Sequence, residues 1–108
     1  MIWAVEFLPE AEDDFSRLDG SRQRLIAKAI EKARKNPLPS TEGGYGKPLG
    51  NHSVSALAEL LKIKLKQQGL RIVYRLQRTD TRMLIIVIGV RTDGEVYKET
   101  QRRIDRHK

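Results

Sequence analysis

The stretch Leu61-Lys62-Ile63-Lys64-Leu65-Lys66, continued through Gln67-Gln68-Gly69 into Leu70-Arg71-Ile72-Val73-Tyr74-Arg75-Leu76, decides how this chain folds. Apolar residues and lysines alternate without a break from 61 to 66, the period-two signature of a half-buried strand. Leu61, Ile63 and Leu65 fall on one face, and Lys62, Lys64 and Lys66 on the other. Gln67-Gln68-Gly69 reads as a short hairpin loop in which glycine supplies an unusual backbone angle. The alternation then resumes, with Ile72, Tyr74 and Leu76 on one face and Arg71, Val73 and Arg75 on the other. Thr79-Asp80-Thr81 marks a second turn. Met83 to Val90 is an apolar run, expected to be a strand buried on both faces. Arg91 follows where that strand ends, and Tyr97 follows six residues later. A small sheet with one apolar and one lysine–arginine face is suited to a polyanion.

Upstream of this stretch, Ile2 to Leu8 reads as a first strand with Trp3, Val5 and Phe7 on one side. Pro9 is expected to open a helix, with Glu10, Glu12, Asp13 and Asp14 near its positive end. Ala11, Phe15 and Leu18 form its apolar stripe, and Gly20 is expected to end it. Asp19 or Ser21 caps a second helix running to about Lys35. Its apolar face is Leu25, Ile26, Ala29, Ile30 and Ala33, and Asn36-Pro37 stops it. These helices form a hairpin whose stripes must bury against the sheet. The segment from Pro37 to Ser55 is rich in proline and glycine and is expected to be irregular. Tyr45 and Lys47 within it are candidates for ligand contact. Gly94 to Arg106 reads as a last helix, with Val96, Thr100 and Ile104 at helical spacing. That apolar face is thin, so the helix is expected to be the most labile element. The fold class is therefore α+β: a small antiparallel sheet with an N-terminal strand, a helical hairpin packed on it and a labile C-terminal helix, in a single domain spanning 1–108.

Composition narrows the function. The chain has 108 residues and no cysteine, which excludes a disulfide framework and a thiolate metal site. Neither a membrane span nor a signal peptide is visible, so a cytoplasmic protein is expected. The net charge is +7, and it is unevenly placed. Residues 1–61 carry eight Lys and Arg against nine Asp and Glu, whereas residues 62–108 carry thirteen against five. The excess lies in the half that carries the lysine face, which points to nucleic acid or an acidic protein.

Familiar catalytic sets are missing. The two histidines, His52 and His107, build neither a triad nor a pair for cleaving RNA. No carboxylate cluster suits a two-metal nuclease, and Gly43-Gly44-Tyr45-Gly46-Lys47 lacks the setting of a phosphate-binding loop. Neither a metal nor a cofactor is expected. What remains is Lys62, Lys64, Arg71, Arg91 and Tyr97. Attack of a ribose 2′-hydroxyl on the adjacent phosphorus needs a base, cations for the phosphorane oxygens and an acid for the leaving 5′-oxygen. Lysine titrates near 10.4 in the free state. Like charges and burial both lower a lysine's value, so a clustered lysine is a candidate base. Arginine grips phosphate in a fork. Lys66, Arg75, Lys47 and Lys98 are further candidates for RNA contact. On these residues alone, an RNase and a non-catalytic nucleic-acid or ribosome binder both stand.

The segment from Leu61 to Tyr74 resembles the KxKL…G.R(I/L)VY signature of RelE toxins, in the RelE/ParE superfamily of type II toxin–antitoxin systems. Gly89-Val90-Arg91-Thr92-Asp93-Gly94-Glu95-Val96-Tyr97 resembles the family's VGxRxxxEVY ending, and Phe7 to Phe15 resembles its start. The resemblance implies a ribosome-dependent mRNA endonuclease that cuts codons in the A site, leaving a 2′,3′-cyclic phosphate and a 5′-hydroxyl. It assigns catalytic lysines to Lys62 and Lys64 and phosphate grip to Arg71. Arg91 becomes a candidate for protonating the leaving group, and Tyr97 a group that stacks on or orients the substrate. Lys62, Lys64 and Tyr97 all stand as the base. The resemblance also implies a cognate antitoxin that covers the lysine face or displaces the last helix, and a complex of the two on operator DNA. Asp93 departs from the family, where a further basic residue can occur, and the loop 37–57 is longer than in the shortest members. A gyrase poison of the ParE branch, which generally lacks the full lysine–arginine–tyrosine set, and a non-catalytic RNA- or ribosome-binding module are the alternative readings.

Overall fold

The computed structural model describes residues 2–49, 60–90 and 92–107. Its first strand, β1 (Ala4–Phe7), leads into helix α1 (Pro9–Ser16) and helix α2 (Gly20–Ala33). A two-residue strand, β2 (Lys47–Pro48), comes next. Then follow β3 (Leu60–Leu65), β4 (Leu70–Gln77) and β5 (Arg82–Gly89), and helix α3 (Asp93–Arg106) closes the chain. The α+β class holds, with the strands in the order β1-β5-β4-β3-β2. The sheet is mixed rather than wholly antiparallel, because β1 lies parallel to β5. The crossover from β1 passes through α1 and α2 and returns the chain to the opposite edge of the sheet.

Helix boundaries follow local chemistry. Pro9 occupies the first turn of α1, where a missing N–H costs nothing. Asp19 caps α2 by accepting from the Arg22 N–H at 2.9 Å. Gly20 therefore opens α2 rather than ending α1, which stops at Ser16. The hairpin does pack on the sheet. Ala11, Ile26, Ile30 and Ala33 are buried with Leu61, Ile72, Tyr74, Leu76, Met83, Ile85 and Ile88, and Trp3, Val5, Phe7 and Phe15 pack around them.

The segment expected to be irregular carries more structure than its prolines suggest. A 3-10 turn at Ser40–Glu42 and strand β2 lie within it. The buried Tyr74 hydroxyl donates to the Pro37 carbonyl at 2.6 Å. Gly46 lies so close to that hydroxyl that a Cβ there would come within 2.1 Å of it. This contact turns the chain into β2, where Lys47 pairs with Lys62 and Pro48 with Leu61. Pro48 suits an edge strand because it has no N–H to leave unpaired. Gly69 closes the β3–β4 hairpin at φ 66°, as the sequence implies.

Strand β5 has one more residue than β4 between two successive pairs. Val73 faces Val87 and Tyr74 faces Ile85, so Ile86 is the extra residue of a β-bulge. The alternation of β5 slips there. Met83, Ile85 and Ile88 face the hairpin helices, whereas Leu84, Ile86 and Val87 face α3 together with Leu60, Val73, Val96 and Ile104.

Candidate functional site

The charged side of β3 and β4 is the side on which α3 packs. Lys62 and Lys64 stand at alternate positions of β3, roughly 7 Å apart along the strand. Lys64 is the cross-strand partner of Arg71, and Lys62 that of Val73. Directly paired residues on one face have Cβ atoms about 5 Å apart, a spacing that one phosphate can span. The three cations are half-buried. Strand β2 adds Lys47, exposed and paired with Lys62. A shallow cleft of about 210 Å³ lies at the hairpin end of this row, lined by Lys64, Leu65, Lys66, Gly69, Leu70 and Arg71. Lys66 reaches it from the 3-10 turn after β3 rather than from the strand itself.

Helix α3 supplies the aromatic group. Thr92 and Glu95 form a capping box that fixes its first turn: the Thr92 hydroxyl accepts from the Glu95 N–H, and the Glu95 carboxylate accepts from the Thr92 N–H. Val96 is buried against Val73, Ile86 and Val87. Tyr97, half-buried beside it, brings its ring centroid to 5.9 Å from the Lys62 ammonium. Sequence spacing gave no reason for that meeting, since 35 positions separate the two residues.

Lys62, Lys64, Arg71 and Tyr97 are thus brought to one face, flanked by Lys47 and Lys66. Arg91 and His52 lie outside the described residues. Arg75 is on the same face but about 13 Å from Arg71 along β4. There it lines a separate cavity of about 320 Å³ with Glu6, Gln77, Arg82, Ile104 and His107. Lys98 is exposed on α3, one position past Tyr97 and away from the buried side. Tyr45 is occupied elsewhere, with the Lys32 ammonium 5.3 Å from its ring centroid. Among the described residues, no group of three His, Cys, Asp or Glu is placed to hold a metal ion, and no helix is long and apolar enough to cross a membrane.

Beneath α3 lies a buried ionic cluster that the sequence reading missed. Arg103 Nη1 and Nη2 donate to the Asp14 carboxylate of α1 at 2.7 and 3.1 Å. Arg103 Nε donates to Glu99 at 2.6 Å. The Arg103 side chain is 6% exposed and those of Asp14 and Glu99 are 8%. Burial opposes the Arg103 charge, but the two carboxylates outweigh it and raise its pKa. Burial likewise opposes the Glu99 charge, and its arginine partners Arg103 and Arg102 outweigh that, holding its pKa below the usual carboxylate value. The signal was present in spacing: 96, 100 and 103 fall on one helical face.

No family model matches the chain. A putative RelE-like toxin protein of Escherichia coli is 26% identical over 105 residues, covering 96% of this chain and 99% of that protein. The solved structure of an arginine-to-alanine double mutant of the E. coli toxin RelE in the free state is similar, with a TM-score of 0.75 and 22% identity. That alignment covers 96% of this chain and 99% of the toxin. The toxin–antitoxin complex RelBE2 from Mycobacterium tuberculosis has a chain with a TM-score of 0.66 and 22% identity, covering 84% of this chain and 100% of that one. The fold is that of the RelE toxins, and the resemblance read from the motifs is borne out.

Proposed function

We propose that this chain, a single domain over 1–108, is the toxin of a type II toxin–antitoxin pair and a metal-independent endoribonuclease acting in the cytoplasm on mRNA in the ribosomal A site. The observation that carries the reading is the gathering of Lys62, Lys64 and Arg71 on one face of the sheet with the Tyr97 ring over Lys62. In the reaction, the 2′-hydroxyl of one nucleotide gives its proton to a base, for which Lys62, Lys64 and Tyr97 are the candidates. The 2′-oxygen bonds to phosphorus, the bond from phosphorus to the 5′-oxygen breaks, and that oxygen takes a proton. The products are a 2′,3′-cyclic phosphate and a 5′-hydroxyl. Lys64 and Arg71 face the charge that grows on the phosphorane oxygens. Gly89 pairs with Arg71 two residues before Arg91, the candidate acid. Lys47 and Lys66 extend the cationic row toward neighbouring phosphates. The site needs the ribosome to set the 2′-hydroxyl in line with the phosphorus. The partner is an acidic antitoxin covering this face, and the two together form a repressor complex on operator DNA.

Primer extension on mRNA from translating ribosomes tests the reading. Wild type is expected to cut within A-site codons, and Lys64→Ala and Arg91→Ala are expected to abolish the cuts. Intact mRNA with broken DNA would move the chain to the gyrase poisons. Intact mRNA and DNA would leave a binding module.

A further inference from the structure

Strand β5 runs past the end of β1. Their pairing stops at Phe7 and Ile85, and the Leu8 N–H makes the last bond to the Ile85 carbonyl. The bulge at Ile86 comes immediately after. Beyond that point, among the described residues, β5 presents backbone groups that no neighbouring strand takes, and side chains take them instead. The Ile88 N–H donates to Asp14 Oδ2 at 3.0 Å, and the Ile86 carbonyl accepts from Arg103 Nη1 at 2.7 Å. Asp14 and Arg103 also grip each other through two parallel bonds. One buried pair therefore joins α1, the bulge of β5 and α3.

The fixed fork of arginine makes this an alignment device. Three nitrogens are committed to Asp14, Glu99 and the Ile86 carbonyl, so the guanidinium sets both the height and the rotation of α3 over the sheet. Six residues up the same helix, a rise of about 9 Å, stands Tyr97. Among the described residues, the apolar contacts of α3 are few (Val96, Ile104 and part of Tyr97), and apolar contact is non-directional. It leaves the helix free to slide by a fraction of a turn, whereas the ionic key does not.

We propose that Arg103 and Asp14 are positioning residues, whose ion pair seated on the β5 bulge holds the Tyr97 ring over Lys62. This rests on the reading of Lys62 and Tyr97 as parts of the reaction site. A fold-stabilising pair with no effect on position is the alternative, and the test separates them. Removing one partner strands a buried charge and unfolds protein for a trivial reason. The informative variant is therefore the double substitution Asp14→Leu with Arg103→Met, which removes both charges and replaces them with apolar volume, while Glu99 keeps its ion pair with the more exposed Arg102.

Two readouts are taken on the full chain. In single-turnover cleavage on ribosomes, the folded double variant is expected to lose about 100-fold in kcat with KM unchanged, as a misplaced group costs. In a Tyr97→Phe background the same pair of substitutions is expected to add little. The second readout needs no activity: 3-fluorotyrosine is incorporated, and the Tyr97 resonance is assigned by its loss in Tyr97→Phe. That resonance is expected to shift in the double variant while those of Tyr45 and Tyr74 stay put. An unchanged Tyr97 resonance, or full kcat in a folded double variant, would overturn the positioning role. Wild type that cuts no RNA would overturn the RNase reading alone, and the resonance would then decide the positioning claim.

Discussion

On the hairpin side of the sheet the contacts are apolar: Ile26, Ile30 and Ala33 of α2 meet Ile72, Ile85 and Ile88, and the Phe7 and Phe15 rings lie edge to face at 6.4 Å. On the α3 side the apolar patch is smaller among the described residues, and a buried arginine with two carboxylates completes the attachment. Beside that helix the same face carries Lys62, Lys64 and Arg71. The two sides divide the labour. Apolar burial supplies stability without fixing a helix to a fraction of a turn, so it suits the side that only has to hold. Ionic and hydrogen-bonded contact contributes less net stability but fixes geometry, so it suits the side where a ring must meet an ammonium.

Substitutions on the two faces separate activity from stability. Arg71→Ala is expected to slow cleavage on ribosomes by about 100- to 1000-fold while thermal denaturation stays within a few degrees of wild type. If unfolding accounted for the lost activity, the charged face would be structural after all. Ile85→Ala probes the other side. It is expected to cost about 3 kcal/mol in urea denaturation while the folded fraction keeps its cleavage rate.

The two faces also differ in their expected response to acid. Glu99 is held below the usual carboxylate value of 4.5 by Arg103 and Arg102 against the cost of its burial. Glu10 is held below it chiefly by its hydrogen bond with His107, with Arg106 contributing. A carboxylate with a depressed folded-state pKa stabilises the fold fully above its unfolded value and loses that contribution as pH falls through the folded one. Both acids bind basic side chains toward the C-terminal end of α3. Hydrogen exchange is therefore expected to show α3 amides losing protection below about pH 4.5 while β4 amides hold. Simultaneous loss in both would count against a separate polar attachment. The smallest effect is expected at a cap: Asp19→Ala should destabilise by about 1 kcal/mol with cleavage by the folded protein unchanged.

Much of the charged face was legible because strands encode their faces in steps of two. Lys62, Lys64 and Arg71 needed only the alternation and the glycine at 69 to be placed together. Tyr97 was named for its residue type, but no period linked it to Lys62. Three features were hidden for identifiable reasons. The parallel pairing of β1 depends on where the helical hairpin returns the chain, which no local pattern records. The bulge at Ile86 lies in a run of apolar residues on both faces, where a slip of one changes nothing in the pattern. Arg103 looks like a solvated helix residue, because its partner Asp14 is 89 positions away. A thin apolar face marked α3 as labile, and only tertiary contact shows that the charge of Arg103 attaches it.

The role of the 2′-hydroxyl is tested by cleavage of ribosome-bound mRNA carrying a single 2′-deoxynucleotide at the A-site position that the protein cuts in all-ribose mRNA. The expected result is a cut in the all-ribose message ending in a 2′,3′-cyclic phosphate, and no cut at the deoxy position. Equal cutting of both messages, or of neither, would contradict a lysine–arginine–tyrosine face that works by turning the 2′-hydroxyl on its own phosphate.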